Sequence, residues 1–335
     1  MKKLINLAIL LAIMPVLMMT SCKKDAPETV NAYLTLKTYM VTNTLDLPDL
    51  MKTAWIIDPK SSVDGGKVDP ATSSLPDYNV FDLRSASDFA AGHIKNAVNV
   101  VLKDVVTTAA NYKDKPICVV CYTGQTAGQA VMALRLSGFP TAVVLKWGMA
   151  GWNSTFKTPW ISNSGFEVQA NGNIAVGSAN WVTTAAPAIG VFDEPVWTST
   201  STDGAAILKE RVQAVLNAGF STAAAADVLA NPTNFQIFNY WNATDYITFG
   251  HFSGAYDLPT IALAGDLVKA LDPAKEELVY CYTGQTSSIA TFWLNVLGYK
   301  TKGIGFGANR LVYDQLKAAG KTVYNGPKAW SVATK

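Results

Sequence analysis

The chain has 335 residues, with 27 Lys and Arg against 25 Asp and Glu, and 49% of its residues are hydrophobic. That near balance leaves no basic field to hold nucleic acid, and no segment beyond the N-terminal region is long and apolar enough to span a bilayer. Four cysteines, one of them at position 22, are too few for a disulfide scaffold.

Residues 1–22 read as a leader, not as part of a fold. Lys2 and Lys3 form a charged start, Leu7–Met19 is an apolar run of signal-peptide length, and Met19-Thr20-Ser21-Cys22 places small residues before a cysteine. This ending resembles a bacterial lipoprotein signal, which makes Cys22 the lipidated mature N-terminus. Residues 23–31 then form a polar tether. The location this implies is a bacterial cell envelope, at the periplasmic face or outer membrane, with the N-terminal lipid as the sole membrane contact.

A first domain is expected over 32–160. Tyr78–Leu83 reads as an apolar strand, followed by a short helical patch, the turn Gly92-His93-Ile94 and another short strand. Ile117-Cys118-Val119-Val120 is the next strand, and it runs into Cys121-Tyr122-Thr123-Gly124-Gln125-Thr126. Ala127, Ala130, Val131 and Leu134 follow at helical spacing, and Ala142–Leu145 forms a further strand. Cys118 and Cys121 have the spacing of a redox pair. Three steps along a strand, however, cover about 10 Å, too far for a disulfide. Cys118 therefore reads as a small core residue.

Residues 161–194 are rich in small and polar residues without a sustained period and read as linker or surface excursion. A second domain, 195–335, repeats the first. It has the strand Phe235–Phe238, the turn Gly250-His251, and Leu278-Val279-Tyr280 before Cys281-Tyr282-Thr283-Gly284-Gln285-Thr286. Ile289, Phe292, Trp293 and Val296 then fall at helical spacing. The offset between copies is 157 residues at Asp82/Asn239, 158 at His93/His251 and 160 at Cys121/Cys281. Landmarks that keep step this well mark two copies of one domain. Strands alternating with helices predict an α/β fold: two domains, each a mostly parallel sheet flanked by helices.

A thiol at a strand-to-helix turn, repeated, points to a nucleophile. Thiolate is the reactive form of cysteine, and converging backbone N–H groups at a helix N-terminus favour it. Gly124 and Gly284 permit the turn that aims those amides inward. Thr126 and Thr286 are candidates to add a hydroxyl and cap the helix. Cys121 and Cys281 are thus the candidate catalytic residues. Tyr122, Thr123, Gln125, Tyr282, Thr283 and Gln285 complete the candidate substrate loops. Covalent chemistry on such a sulfur calls for no metal and no organic cofactor.

Together these residues resemble the rhodanese family. The first copy carries Asp82-x-Arg84, the Gly92-His93-Ile94 turn, the six-residue loop from Cys121 and a closing Gly148-to-Trp152 motif. The second keeps the Gly250-His251 turn and the whole loop from Cys281, but has Asn239 and Trp241 in place of Asp-x-Arg, and Gly307 to Leu311 at the close. The resemblance implies two rhodanese-like domains and a sulfurtransferase that carries a sulfane sulfur as a cysteine persulfide. The donor would be a small sulfur compound and the acceptor a thiol or a cyanide-like nucleophile, a thioredoxin-like protein being one candidate. Asp82 and Arg84 would form a supporting polar network beneath the site, and His93 and His251 would serve the turns. A non-catalytic sulfur-binding or partner-docking module is the rival reading. A phosphatase of related architecture needs an Arg at the sixth position after Cys to grip phosphate; here that position holds Ala127 or Ser287. Tyr122, Thr123 and Asp88 offer little to an anionic donor unless Arg84 turns inward, so persulfides, polysulfide or a partner's thiol fit equally well. Gly303-Ile304-Gly305-Phe306-Gly307-Ala308 mimics a dinucleotide fingerprint, but the repeat sets it opposite Leu145–Gly148, which argues for a shared turn.

Overall fold

The structure, a computed structural model, describes residues 31–334. The expected leader, Cys22 and the tether up to residue 30 lie outside them.

Two five-stranded sheets organise the chain. The first contains β1 (Ile56–Ile57), β2 (Asn79–Asp82), β3 (Val98–Asn99), β4 (Ile117–Val120) and β5 (Val143–Leu145), in the order β1-β5-β4-β2-β3. A separate pair, β6 (Trp181–Val182) with β9 (His251–Phe252), forms a small antiparallel ribbon. The second sheet contains β7 (Thr222–Ala223), β8 (Gln236–Asn239), β10 (Tyr256–Asp257), β11 (Glu276–Tyr280) and β12 (Lys300–Ile304), in the order β10-β8-β11-β12-β7. All pairings within the two sheets are parallel. With β4 set against β11, every other strand meets its counterpart in order, so the α/β architecture expected from the repeat is the one observed. Nothing in the sequence announces β1 and β7, because two residues are too few for any alternation to show.

Each cysteine follows the middle strand of its sheet and precedes a long helix, Gln125–Leu136 after β4 and Gln285–Leu297 after β11. Both helices are buried on nearly all sides, as a helix without a polar face must be. They pack against each other in the centre of one core shared by both halves, with Ala130, Val131 and Leu134 from the first and Ile289, Phe292 and Trp293 from the second. Burying each of Leu134, Ile289 and Phe292 stabilises the fold by roughly 1.5–3 kcal/mol. The approach is close at Gly128, where a Cβ would lie 2.2 Å from Ser288 Oγ. A larger residue there would displace the Ser288 hydroxyl.

The halves also exchange their ends. Helix Ala32–Thr42 packs on helix Gly204–Ala218, near enough that a Cβ on Gly204 would meet Tyr39 Cβ at 2.4 Å. At the other end, the C-terminal tail returns to the first sheet. Ala333 bridges His93, Trp330 Nε1 donates to the Pro59 carbonyl at 2.8 Å, and Trp152 Nε1 donates to the Ser331 carbonyl at 3.0 Å. The segment 161–194, expected as linker or excursion, is partly built into the second half. It supplies β6, it buries Ala175, and its Ser162 and Asn171 carbonyls accept Arg310 Nη1. These contacts are made largely by backbone and small residues, which no hydrophobic period announces.

Candidate functional site

Cys121 stands at the C-terminal end of β4, where open α/β sheets place their sites. Its Sγ accepts the Gly124 N–H at 3.1 Å. Gly124 is the N-cap of the following helix, with φ +84°, a conformation that costs glycine nothing. The loop is clamped from below by the next turn of chain: Met149 N–H reaches the Cys121 carbonyl at 2.8 Å and Ala150 N–H the Tyr122 carbonyl at 3.0 Å. A Cβ on Gly148 (φ +60°) would lie 2.2 Å from the Cys121 oxygen. This is why the closing motif begins with glycine.

Cys281 repeats the placement with a different hydrogen bond. Its Sγ accepts the Ser287 N–H at 3.3 Å and lies 3.6 Å from Ser287 Oγ. The clamp is the same in kind: Ala308 N–H reaches the Cys281 carbonyl and Asn309 N–H the Tyr282 carbonyl, each at 3.0 Å. A Cβ on Gly307 would fall 2.1 Å from the Cys281 oxygen. The dinucleotide-like glycines are thus the counterpart of the Gly148 turn, and Leu311 is buried as Trp152 is.

Both cysteines are nearly covered, Cys121 being 5% exposed and Cys281 2%. Cys118, at the centre of β4, is wholly buried, and burial pushes its thiol well above the ordinary range. All three cysteines are free.

Asp82 and Arg84 form a buried ion pair beside the Cys121 strand end. Arg84 Nη2 lies 2.6 Å from Asp82 Oδ2 and Nε 3.0 Å from Oδ1, with both side chains 1% exposed. Nη2 also donates to the Gly92 carbonyl at 2.6 Å, which ties the pair to the Gly-His turn. The guanidinium faces the rings of Tyr122 and Phe156, with its carbon 5.3 and 4.7 Å from their centroids. Tyr122 in turn bonds to Asp88, whose carboxyl is held below the usual range by Ser85 first and Tyr122 second.

The second half rebuilds this corner with other residues. Trp241 lies where Arg84 does, its ring 4.9 Å from that of Tyr282. The Tyr282 hydroxyl donates to Asp245, and Lys321 Nζ meets the same carboxylate at 2.6 Å. Burial works against the charge on Asp245, but Lys321, Tyr282 and Asn242 outweigh it and lower its pKa. Lys321 is far from any motif in the sequence, so only the fold could bring it here.

Several predicted loop residues do something other than expected. Thr126 and Thr286 lie inside the first helical turn, which rules out a capping role. It is Thr123 and Thr283 whose hydroxyls accept the Gln125 and Gln285 N–H groups, at 3.4 and 3.2 Å. Gln125 and Gln285, expected to line the substrate loops, are buried where the halves meet. Gln285 Nε2 donates to the Thr123 carbonyl at 3.0 Å, and Gln125 Oε1 accepts the Phe306 N–H at 3.0 Å. His93 and His251 serve the turns: Nδ1 of each lies against a backbone carbonyl, of Phe89 and Tyr246, and each ring stacks on that residue's ring.

Comparison with known proteins bears on the first half. Residues 69–155 match the family described as the rhodanese-like domain. Over 80 residues the chain is 38% identical to an uncharacterized protein, YibN, of Escherichia coli (strain K12). That stretch is 23% of this chain and 56% of the relative, so the chain spans about half the length of the curated relatives it matches. Among solved structures, a thiosulfate sulfurtransferase from Pseudomonas aeruginosa is similar at 14% identity, over 90% of this chain and 49% of that one, with a TM-score of 0.28. A rhodanese-like domain from an Anabaena sp. protein is similar at 26% identity, over 30% of this chain and 72% of that one, with a TM-score of 0.24.

Proposed function

We propose that this chain is a tandem sulfurtransferase of the rhodanese type, moving a sulfane sulfur through a persulfide on Cys121, with Cys281 as a second site. The observation that carries the reading is the Gly124 N–H on Cys121 Sγ, at the head of a buried helix. A helix N-terminus and an aimed amide favour negative charge on sulfur. In the first half-reaction the Cys121 thiolate attacks the outer sulfur of a donor R–S–S⁻. The donor S–S bond breaks, RS⁻ leaves with the electron pair, and Cys121–S–S⁻ remains. In the second, an acceptor thiolate attacks that outer sulfur, takes it as a new persulfide and returns the Cys121 thiolate. A cyanide-like acceptor would leave by the same balance.

Arg84 favours a donor of low charge. Its Nε and Nη2 are committed to Asp82 and Gly92 beneath Tyr122, and although Nη1 has no hydrogen-bond partner among the described residues, the charge is already neutralised by Asp82, which supports a persulfide or a partner's sulfane sulfur over thiosulfate. The acceptor is then a thiol, with a thioredoxin-like protein as the proposed partner. We place the protein at the bacterial envelope, held by lipid on Cys22. Among the described residues, no helix is long and apolar enough to cross a membrane.

The low exposure of both cysteines favours a second reading, a sulfur-binding or partner-docking module without turnover. Incubation with a small persulfide, then intact-protein mass spectrometry and a thiol chase, separates the two. A one-sulfur mass increase on Cys121 that the chase removes supports transfer. An increase that resists the chase supports the binding module, and no increase at all defeats both.

A further inference from the structure

The trans peptide joining Thr123 to Gly124 has two ends: its N–H is turned to the first half's own cysteine, and its carbonyl is held by one donor from each half of the chain. Its N–H points at Cys121 Sγ, 3.1 Å away. Its carbonyl, on the opposite side of the planar unit, accepts Gln285 Nε2 at 3.0 Å and Trp160 Nε1 at 3.3 Å. No peptide bond of the described chain is cis, so fixing the carbonyl fixes the direction of the N–H. Two donors on the oxygen also polarise the amide, and a polarised N–H donates more strongly. The contact requires Gly124: a Cβ there would lie 2.1 Å from Gln285 Nε2.

We propose that Gln285 is a positioning residue for Cys121, contributed across the interface by the other cysteine loop. The inference rests on the sulfurtransferase reading for its consequence, but not for its geometry. Gln285 occupies, four residues after Cys281, the place that Gln125 occupies after Cys121, yet the arrangement is not reciprocal. Gln125 Oε1 accepts the Phe306 N–H, in the turn beneath the second loop, and Cys281 Sγ takes the Ser287 amide in place of that of Gly284. The glutamine pair thus gives the aimed glycine amide to Cys121. The second domain, in this view, acts on the first site whether or not its own cysteine turns over.

The test uses the full chain in a Cys281→Ser background, so that any effect of Gln285 on its own loop is removed. Gln285→Met keeps the size of the side chain and loses the donor. Loss of one hydrogen bond of ordinary strength should slow iodoacetamide alkylation of Cys121 near neutral pH about three- to tenfold. It should also displace the alkylation profile to higher pH and lower sulfur transfer by a similar factor. Gln285→Glu, equal in shape but without a donor when ionised, should do the same. An unchanged alkylation rate and profile in both variants, or a fall in melting temperature without movement of the profile, overturns the inference. If the wild-type chain transfers no sulfur from any donor, the sulfurtransferase reading fails instead, and the alkylation comparison still decides the role of Gln285.

Discussion

Lys321 Nζ lies 2.6 Å from Asp245 Oδ2, and through that carboxylate it reaches Tyr282, the residue after Cys281. The first half supports Tyr122 from below with the Arg84 guanidinium, itself paired to Asp82. The second half has lost both members of that pair and supports its tyrosine from the side, with a lysine drawn from beyond the last helix. The two corners reach the same end, a tyrosine fixed beside the cysteine, by different electrostatics. Arg84 is walled in and Lys321 is about one-third exposed.

This difference bears on which cysteine works. Cys121 has the glycine amide and the buried pair, whereas Cys281 has the Ser287 amide and the Trp241 ring. Cys121→Ser should therefore lower sulfur transfer by at least about 10²-fold, since it removes the covalent route. Cys281→Ser should leave much of the activity. Steady-state turnover of both variants with several donors checks this. Silencing by Cys281→Ser alone would show that the Asp82–Arg84 pair does not mark the working site.

The same contrast predicts stability. Removing one partner of a buried ion pair strands the other charge, at a cost of about 3–5 kcal/mol. Asp82→Ala should accordingly lower the denaturant midpoint sharply. Lys321→Met breaks a pair whose lysine is about one-third exposed and leaves Asp245 hydrogen-bonded to Tyr282 and Asn242, so it should cost less than Asp82→Ala. Urea titrations of the two variants, side by side, give the comparison.

Much of this was legible in the sequence, and the limits have physical causes. The repeat of Cys121–Thr126 at Cys281–Thr286 and the apolar runs before each loop located the middle strands, because buried parallel strands read as continuous hydrophobic stretches. The Asp82–Arg84 network could be expected from spacing across a single turn. Lys321 and the tail around Trp330 could not, since their partners lie far away along the chain. The interface contacts of Gln125 and Gln285 are hidden for a related reason. Both residues occupy loop positions, but the packing of one helix on the other turns them away from sulfur and into the interface. The threonines were displaced by a geometric rule: a residue inside the helix cannot be its cap, so Thr123 holds the first amide and Thr126 does not.

The proposed lipid anchor at Cys22 gives a prediction for localisation. If Cys22 is lipidated, the full-length protein should partition with membranes, because more than one acyl chain makes anchoring stable. Cys22→Ala should then stall processing or release the protein. Fractionation with a salt wash tests this, and recovery of the unmodified protein entirely in the soluble periplasmic fraction would rule out the anchor.

Stability should also depend on pH through Glu277, which sits on β11, the strand that ends at Cys281. The residue is wholly buried; its Oε1 accepts the Asp272 N–H at 2.5 Å, and its Oε2 has no hydrogen-bond partner among the described residues. Burial raises its pKa to about 8, the Asp272 amide working against the rise and the Asp272 charge adding to it. The unfolded chain ionises near the ordinary value of 4.5. Between those two values the folded state keeps a proton that the unfolded state has released, so the free energy of unfolding falls as pH rises. The stability due to the neutral acid is fully present below about 4.5 and is lost as pH climbs through about 8, a loss of order a few kcal/mol. A Glu277→Gln substitution mimics the neutral acid at every pH and should remove that slope. Melting temperatures of the two proteins should therefore be similar near pH 4.5 and diverge towards about pH 8, with the variant higher. Parallel curves across that range would mean that Glu277 is ionised in the fold, and that water or a shift of Asp272 supplies the partner its Oε2 lacks.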